Sequence, residues 1–88
     1  MKLNWNNFHL YGDFMRKNEL RVENPQEQMA NAILDSGRGI AAYDLAQKVY
    51  NDKGDTEYNE RESAVIEGLL QTLPTKWAIA LKDIIVKE

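Results

Sequence analysis

The sequence predicts an α+β fold, a short N-terminal antiparallel β-ribbon followed by a mainly helical core of four helices. Three observations predict it. Apolar residues recur at period two, with one slip, between residues 3 and 11. Four later stretches carry apolar residues at helical spacing. Asparagine, proline and glycine stand between those stretches, where helices start and stop. A chain of 88 residues has room for one domain, with the ribbon over 1–23 and the helical part over 24–88.

In the ribbon, Leu3 and Trp5 share one phase of the alternation while Phe8 and Leu10 share the other. The slip at Asn6-Asn7 requires a bulge or a tight turn, and asparagine tolerates the backbone that either needs. A bulge in one continuous strand is favoured, because arms of about three residues are short for a hairpin. Tyr11-Gly12-Asp13 reads as a turn, and Leu20-Arg21-Val22 as the strand that pairs back across a loop at 12–18. Asn24-Pro25-Gln26-Glu27 then reads as a helix start, with asparagine to cap, proline at the first position and glutamate to close a capping box. The helix that follows shows Met29, Ala30, Ile33 and Leu34 on one stripe and stops at Asp35-Ser36-Gly37-Arg38-Gly39.

The second helix, Ile40 to Tyr50, turns Ala42, Leu45, Ala46 and Val49 inward, with Tyr43 and Tyr50 flanking. After a polar loop, Asn59-x-x-Glu62 opens the third helix, whose apolar face is Val65, Ile66, Leu69, Leu70 and Leu73. Pro74 ends it. The closing helix begins near Thr75 and carries Trp77, Ala78, Leu81, Ile84 and Ile85, with Lys82 and Lys87 placed to suit its dipole.

Composition narrows the function. Hydrophobic residues at 43% and charged residues at 28% describe a globular chain. With no cysteine, disulfides, thiolate chemistry and cysteine zinc sites are excluded, and a cytoplasmic location is expected. No apolar stretch is long enough for a membrane span. The net charge of −3 argues against nucleic acid, whose affinity rests on neutralising phosphates.

The loop from Asn51 to Glu62 suggests an EF-hand, but starting it at Asn51 puts Thr56 where glycine is needed. Placing Gly54 there instead makes Val49 the first ligand, so no metal site is expected. Asp35 to Gly39 lacks the spacing of a phosphate loop. Ala30, Gly37, Ile40 and Leu45 loosely follow a helix-turn-helix, yet the would-be recognition helix offers Lys48 as its sole cation beside Asp44. His9, the single histidine, has no nucleophile near it in sequence, so no catalytic residue and no cofactor are expected. Two features exceed what a core requires. Trp5, Phe8, Tyr11 and Phe14 crowd aromatics into the ribbon, and residues 52–67 set Asp52, Asp55, Glu57, Glu60, Glu62 and Glu67 against Lys53 and Arg61. A partner surface including Phe8, Tyr11, Phe14, Asp55, Glu57 and Glu60 is expected, with Tyr11 foremost among exposed aromatics and Phe8 next.

Asp44-Leu45-Ala46-Gln47-Lys48-Val49-Tyr50, followed by Gly54, Glu57 and the helix from Asn59, resembles a pattern in small phage and prophage accessory proteins. The resemblance covers roughly residues 26–86. It implies a chain that occupies a host protein in the host cytoplasm, and it carries no catalytic residue. The expected function is therefore non-enzymatic binding to another protein, or to itself. The alternatives are a nucleic-acid-binding, transcription-associated module and, third, a structural homodimer or virion component.

Overall fold

The computed structural model describes residues 1–86; Lys87, expected near the end of the last helix, lies outside them. Four helices form the core: α1 (Pro25–Ser36), α2 (Gly39–Tyr50), α3 (Glu60–Thr72) and α4 (Thr75–Ile84). Four two-residue strands accompany them: β1 (Lys2–Leu3), β2 (Leu10–Tyr11), β3 (Glu19–Leu20) and β4 (Ile85–Val86). The fold is α+β, with the ribbon formed by β2 and β3 and a second antiparallel pair formed by β1 and β4.

The bulge expected at Asn6-Asn7 is replaced by a 3₁₀ turn over Trp5–Asn7. The Asn4 side chain accepts from the Asn6 amide at 3.2 Å, and the Phe8 amide donates to the Trp5 carbonyl at 3.1 Å. Asparagine thereby offers the backbone a local alternative to a continuous ladder. The turn resolves the slip in phase, since Leu3 before it and Leu10 after it are both buried. It also sends the two halves of the segment to different partners. β2 pairs with β3, Leu10 opposite Leu20, whereas β1 pairs with β4, Leu3 opposite Ile85. The last helix thus stops at Ile84, one residue earlier than its apolar pattern suggests, because Ile85 turns extended to join β1.

Helix starts follow the expected capping chemistry. Asn24 accepts from the Glu27 amide at 3.1 Å with Pro25 at the head of α1. The return bond is a correction: the Glu27 carboxylate accepts from the Asn24 side-chain amide at 3.2 Å, not from its backbone. At α3 the box is complete, with Asn59 and Glu62 each accepting from the other's backbone amide at 2.9 Å. Between α1 and α2, Gly37 continues the chain extended, and only Gly39 takes the left-handed backbone, at φ 75°.

The core joins Leu3 to Met29, Ala30 and Ile33 of α1, Leu45, Ala46 and Val49 of α2, Ile66 and Leu69 of α3, and Leu81 and Ile84 of α4. Two expected core residues stand out of it. Leu34 and Val65 lie at the margins of their stripes and are exposed. Of the loose helix-turn-helix pattern, Ala30 and Leu45 are buried, but Ile40 is 76% exposed.

Candidate functional site

The loop of residues 12–18, between β2 and β3, is shaped by one carboxylate. Asp13 accepts from the Lys17 amide at 3.0 Å and from the Asn18 amide at 2.8 Å. Those bonds hold its carboxyl below the usual range. The Gly12 amide closes the loop onto the Asn18 carbonyl at 2.8 Å, and Arg16 sits at its apex with φ 56°. Arg16 then ties the loop to α4: its guanidinium lies 3.5 Å from the Asp83 carboxylate and 5.7 Å from the Tyr11 ring centre. So fastened, the loop projects Phe14, 97% exposed, and Met15, 68% exposed. Beside Phe14 a cleft of about 460 Å³ runs between the loop and α4. Tyr11, Phe14 and Ile79 give it apolar walls, and Arg16 and Lys76 give it cations.

The expected partner residues divide on this geometry. Tyr11 and Phe14 come together at the cleft. The order of exposure is corrected: Phe14 stands free, while Tyr11 is half-buried beneath Arg16. Phe8 is also half-buried, its ring 6.3 Å from Trp5 and 6.0 Å from Trp77, at the edge of the core. Packing against two indoles, on the turn that splits the ribbon, explains why it is not the open aromatic. Asp55, Glu57 and Glu60 are exposed around the start of α3 and bond to nothing in the ribbon among the described residues. His9 is exposed on β2's margin and pairs with the Glu19 carboxylate on β3.

One acid leaves the expected acidic surface altogether. Asp52 is 2% exposed, and its carboxylate accepts from the Gly54 amide and from the Tyr58 hydroxyl, each at 2.6 Å. Gln26 on α1 donates to its backbone carbonyl at 3.2 Å. Tyr58 is equally buried, exchanges backbone bonds with Met1, and lies under the Lys48 ammonium at 5.1 Å. Burial first, then the bond to Asp52, push the Tyr58 hydroxyl far above its usual range. The loop of residues 51–59 is thus an anchored segment with a polar core rather than a solvated linker. Lys48, the lone cation of the would-be recognition helix, is held by the Glu62 carboxylate at 2.9 Å.

Glu62 carries a pH dependence. Desolvation raises its pKa, but the Asn59 amide and Lys48 together outweigh it, and the net shift is downward. A depressed carboxylate contributes stability that is fully present above its unfolded value, 4.5, and is lost as the pH falls through the lower folded value. Thermal unfolding followed from pH 7 downward should therefore show this contribution disappear only below 4.5. Glu62→Gln should flatten that acid limb; a variant that keeps the wild-type slope would remove Glu62 as its source.

Comparison with protein-family models, with curated proteins and with solved structures finds no match. Among the described residues, no three His, Cys, Asp or Glu side chains group as a metal site would need, and no helix is long and apolar enough to cross a membrane. The sequence pointed neither to Lys76 and Ile79 at the cleft nor to Met15 beside Phe14 on the loop. Helical spacing places Lys76 and Ile79 on one face of α4, but nothing in the sequence shows that the loop lies against it.

Proposed function

We propose that this chain is a non-enzymatic protein-binding module that acts by occupying another protein, as a phage-derived modulator of a host protein would. The observation that carries the reading is Phe14. A phenylalanine almost wholly in water, with a methionine beside it, is the kind of apolar surface that marks an interaction site. The loop that presents it is already fastened by the bonds of Asp13 and Arg16, so little ordering cost remains on binding. Aromatic side chains on such loops are frequent hot spots. The cleft behind Phe14 gives a partner side chain a place to enter, and Arg16 and Lys76 supply polar contacts at its rim.

Capture from host lysate with wild type and Phe14→Ser side by side tests this. The variant should melt within a few degrees of wild type, since the ring contributes nothing to the core. It should hold the captured protein at least about tenfold less tightly, roughly 1.4 kcal/mol or more. Equal capture by both would move the contact surface away from the loop.

A second reading, self-association, is supported by a different face. Leu34, Tyr43 and Tyr50 are exposed around a groove of about 390 Å³ between α1 and α2, where Glu27 is the one charged lining residue. Sedimentation of the purified chain across a wide concentration range separates the readings, because occupation of another protein needs no second copy of this one.

A further inference from the structure

A third cavity, about 150 Å³, opens where the start of α2 meets α3. Its floor is aliphatic, made by Ala41, Ala42, Leu45 and Val65, and its rim holds Arg38 and Arg61. This is where Val65 goes when it leaves the core face of α3. Both arginines are exposed, and neither has a hydrogen-bond or ion-pair partner among the described residues. Asp35, three residues before Arg38, and Glu60, next to Arg61, bond to neither of them. The one acid that lines the cavity, Glu62, accepts on its Oε1 from Lys48 and from the Asn59 amide, each at 2.9 Å, and bonds to neither arginine. The cavity therefore presents two uncommitted guanidinium groups over a small aliphatic pocket, on a chain whose overall charge is −3. That charge arrangement calls for an anion, and guanidinium is well shaped for a carboxylate.

The aliphatic floor narrows the choice. An internal aspartate or glutamate brings only one or two methylene groups with its carboxylate, too little to fill the pocket. A phosphate brings no apolar group at all. At the end of a polypeptide, by contrast, the carboxylate and an aliphatic side chain leave the same carbon, so the two enter together. We propose that this cavity binds the C-terminal residue of a partner polypeptide, its carboxylate between Arg38 and Arg61 and a leucine- or valine-sized side chain on the Ala41–Val65 floor. Terminal carboxylates are a recurring recognition element, usually held by backbone amides, and here the guanidinium groups take that part. The proposal shares with the functional reading only the premise that the partner is a polypeptide. Its residues are separate from the Phe14 cleft, so either can fail alone.

The test uses the whole chain, isotopically labelled, and follows backbone amide shifts. The probe is a synthetic peptide ending Gly-Ser-Ala-Leu with a free carboxylate. Saturable shifts centred on Arg38, Ala41 and Val65 are expected, with a dissociation constant at or below about 1 mM. Amidating the terminus, or ending the peptide in glycine, should each weaken binding about tenfold or more. Arg38→Gln with Arg61→Gln should do the same at an unchanged melting temperature, since neither arginine holds the fold together. Phe14→Ser should leave this binding intact, which keeps the two sites apart. Equal binding of the amidated peptide overturns the proposal, as does the absence of saturable shifts. Equal affinity for inorganic phosphate would make the site a general anion contact, and equal affinity for isovalerate a small-molecule pocket; either result also overturns it.

Discussion

Tyr58→Phe is expected to destabilise the protein by about 1–3 kcal/mol, although it removes one oxygen and alters no packing. The hydroxyl donates to the Asp52 carboxylate at 2.6 Å, and both residues are 2% exposed. In the variant that carboxylate keeps the Gly54 amide but loses its other donor, at a residue only 2% exposed. A buried charged group left short of a partner costs more than a neutral one. A domain of this size is stable by roughly 4–13 kcal/mol, and 1 kcal/mol moves its melting temperature by about 4–8 °C. A fall of roughly 4–24 °C should therefore appear in a thermal melt. Asp52→Asn in the Tyr58→Phe background should cost less than in wild type, because the two groups act as one unit.

The same pair gives an alkaline signature. The Tyr58 hydroxyl is raised above its unfolded value of 10.0 by burial and by Asp52, so the folded chain keeps the proton longer than the unfolded chain does. That contribution is complete below 10.0 and declines as the pH rises beyond it. Tyr58→Phe should be less stable than wild type at neutral pH yet lose less stability above pH 10.0. If the variant melts with wild type at neutral pH, the Asp52 carboxylate is not the closed site described.

The four helices were legible because their signals are local: Asn24-Pro25 and Asn59-x-x-Glu62 set starts, and Pro74 sets a stop. Asp52 was illegible for the opposite reason. It stands among acids in a loop, and its burial depends on Gln26 arriving from α1 and on Tyr58, six residues on, folding back over it. The Asp-x-Gly order at 52–54 was a clue to the bond from Asp52 to the Gly54 amide, but it does not say which side of the loop faces inward. The β1–β4 pair joins residues more than eighty positions apart and leaves no periodicity longer than two residues. At the cleft, the sequence marked Tyr11 and Phe14 by composition; which of them meets water was decided by Arg16, which reaches over Tyr11 to Asp83. Arg38 stands just before α2 and Arg61 on α3, and only the folded chain brings them to one cavity.

Gly37→Ala should be as damaging as the loss of the Tyr58 hydroxyl, through sterics alone. The backbone there is extended, with φ −77° and ψ 168°, so alanine suffers no conformational penalty. Space is the difficulty. A Cβ at this position would lie 2.5 Å from the Ala42 Cβ and 2.6 Å from the Ile33 carbonyl oxygen. Neither neighbour is the free end of a flexible side chain. The Ile33 carbonyl also accepts the Gly37 amide at 2.7 Å, closing the last turn of α1, so it cannot swing aside without losing that bond. Relief from Ala42 must come from moving α1 and α2 apart, which loosens the contact that buries Met29, Ala30 and Ile33 against Leu45, Ala46 and Val49. Relief from the Ile33 carbonyl must come from distorting the end of α1. Overpacking of this kind typically costs about 1–3 kcal/mol. Ala42→Gly added to Gly37→Ala should recover only part of the loss, because the carbonyl clash remains and a glycine inside α2 costs about 1 kcal/mol of its own. Chemical denaturation of the two variants measures this directly. A Gly37→Ala protein as stable as wild type would mean that α1 and α2 are not packed at this distance in solution.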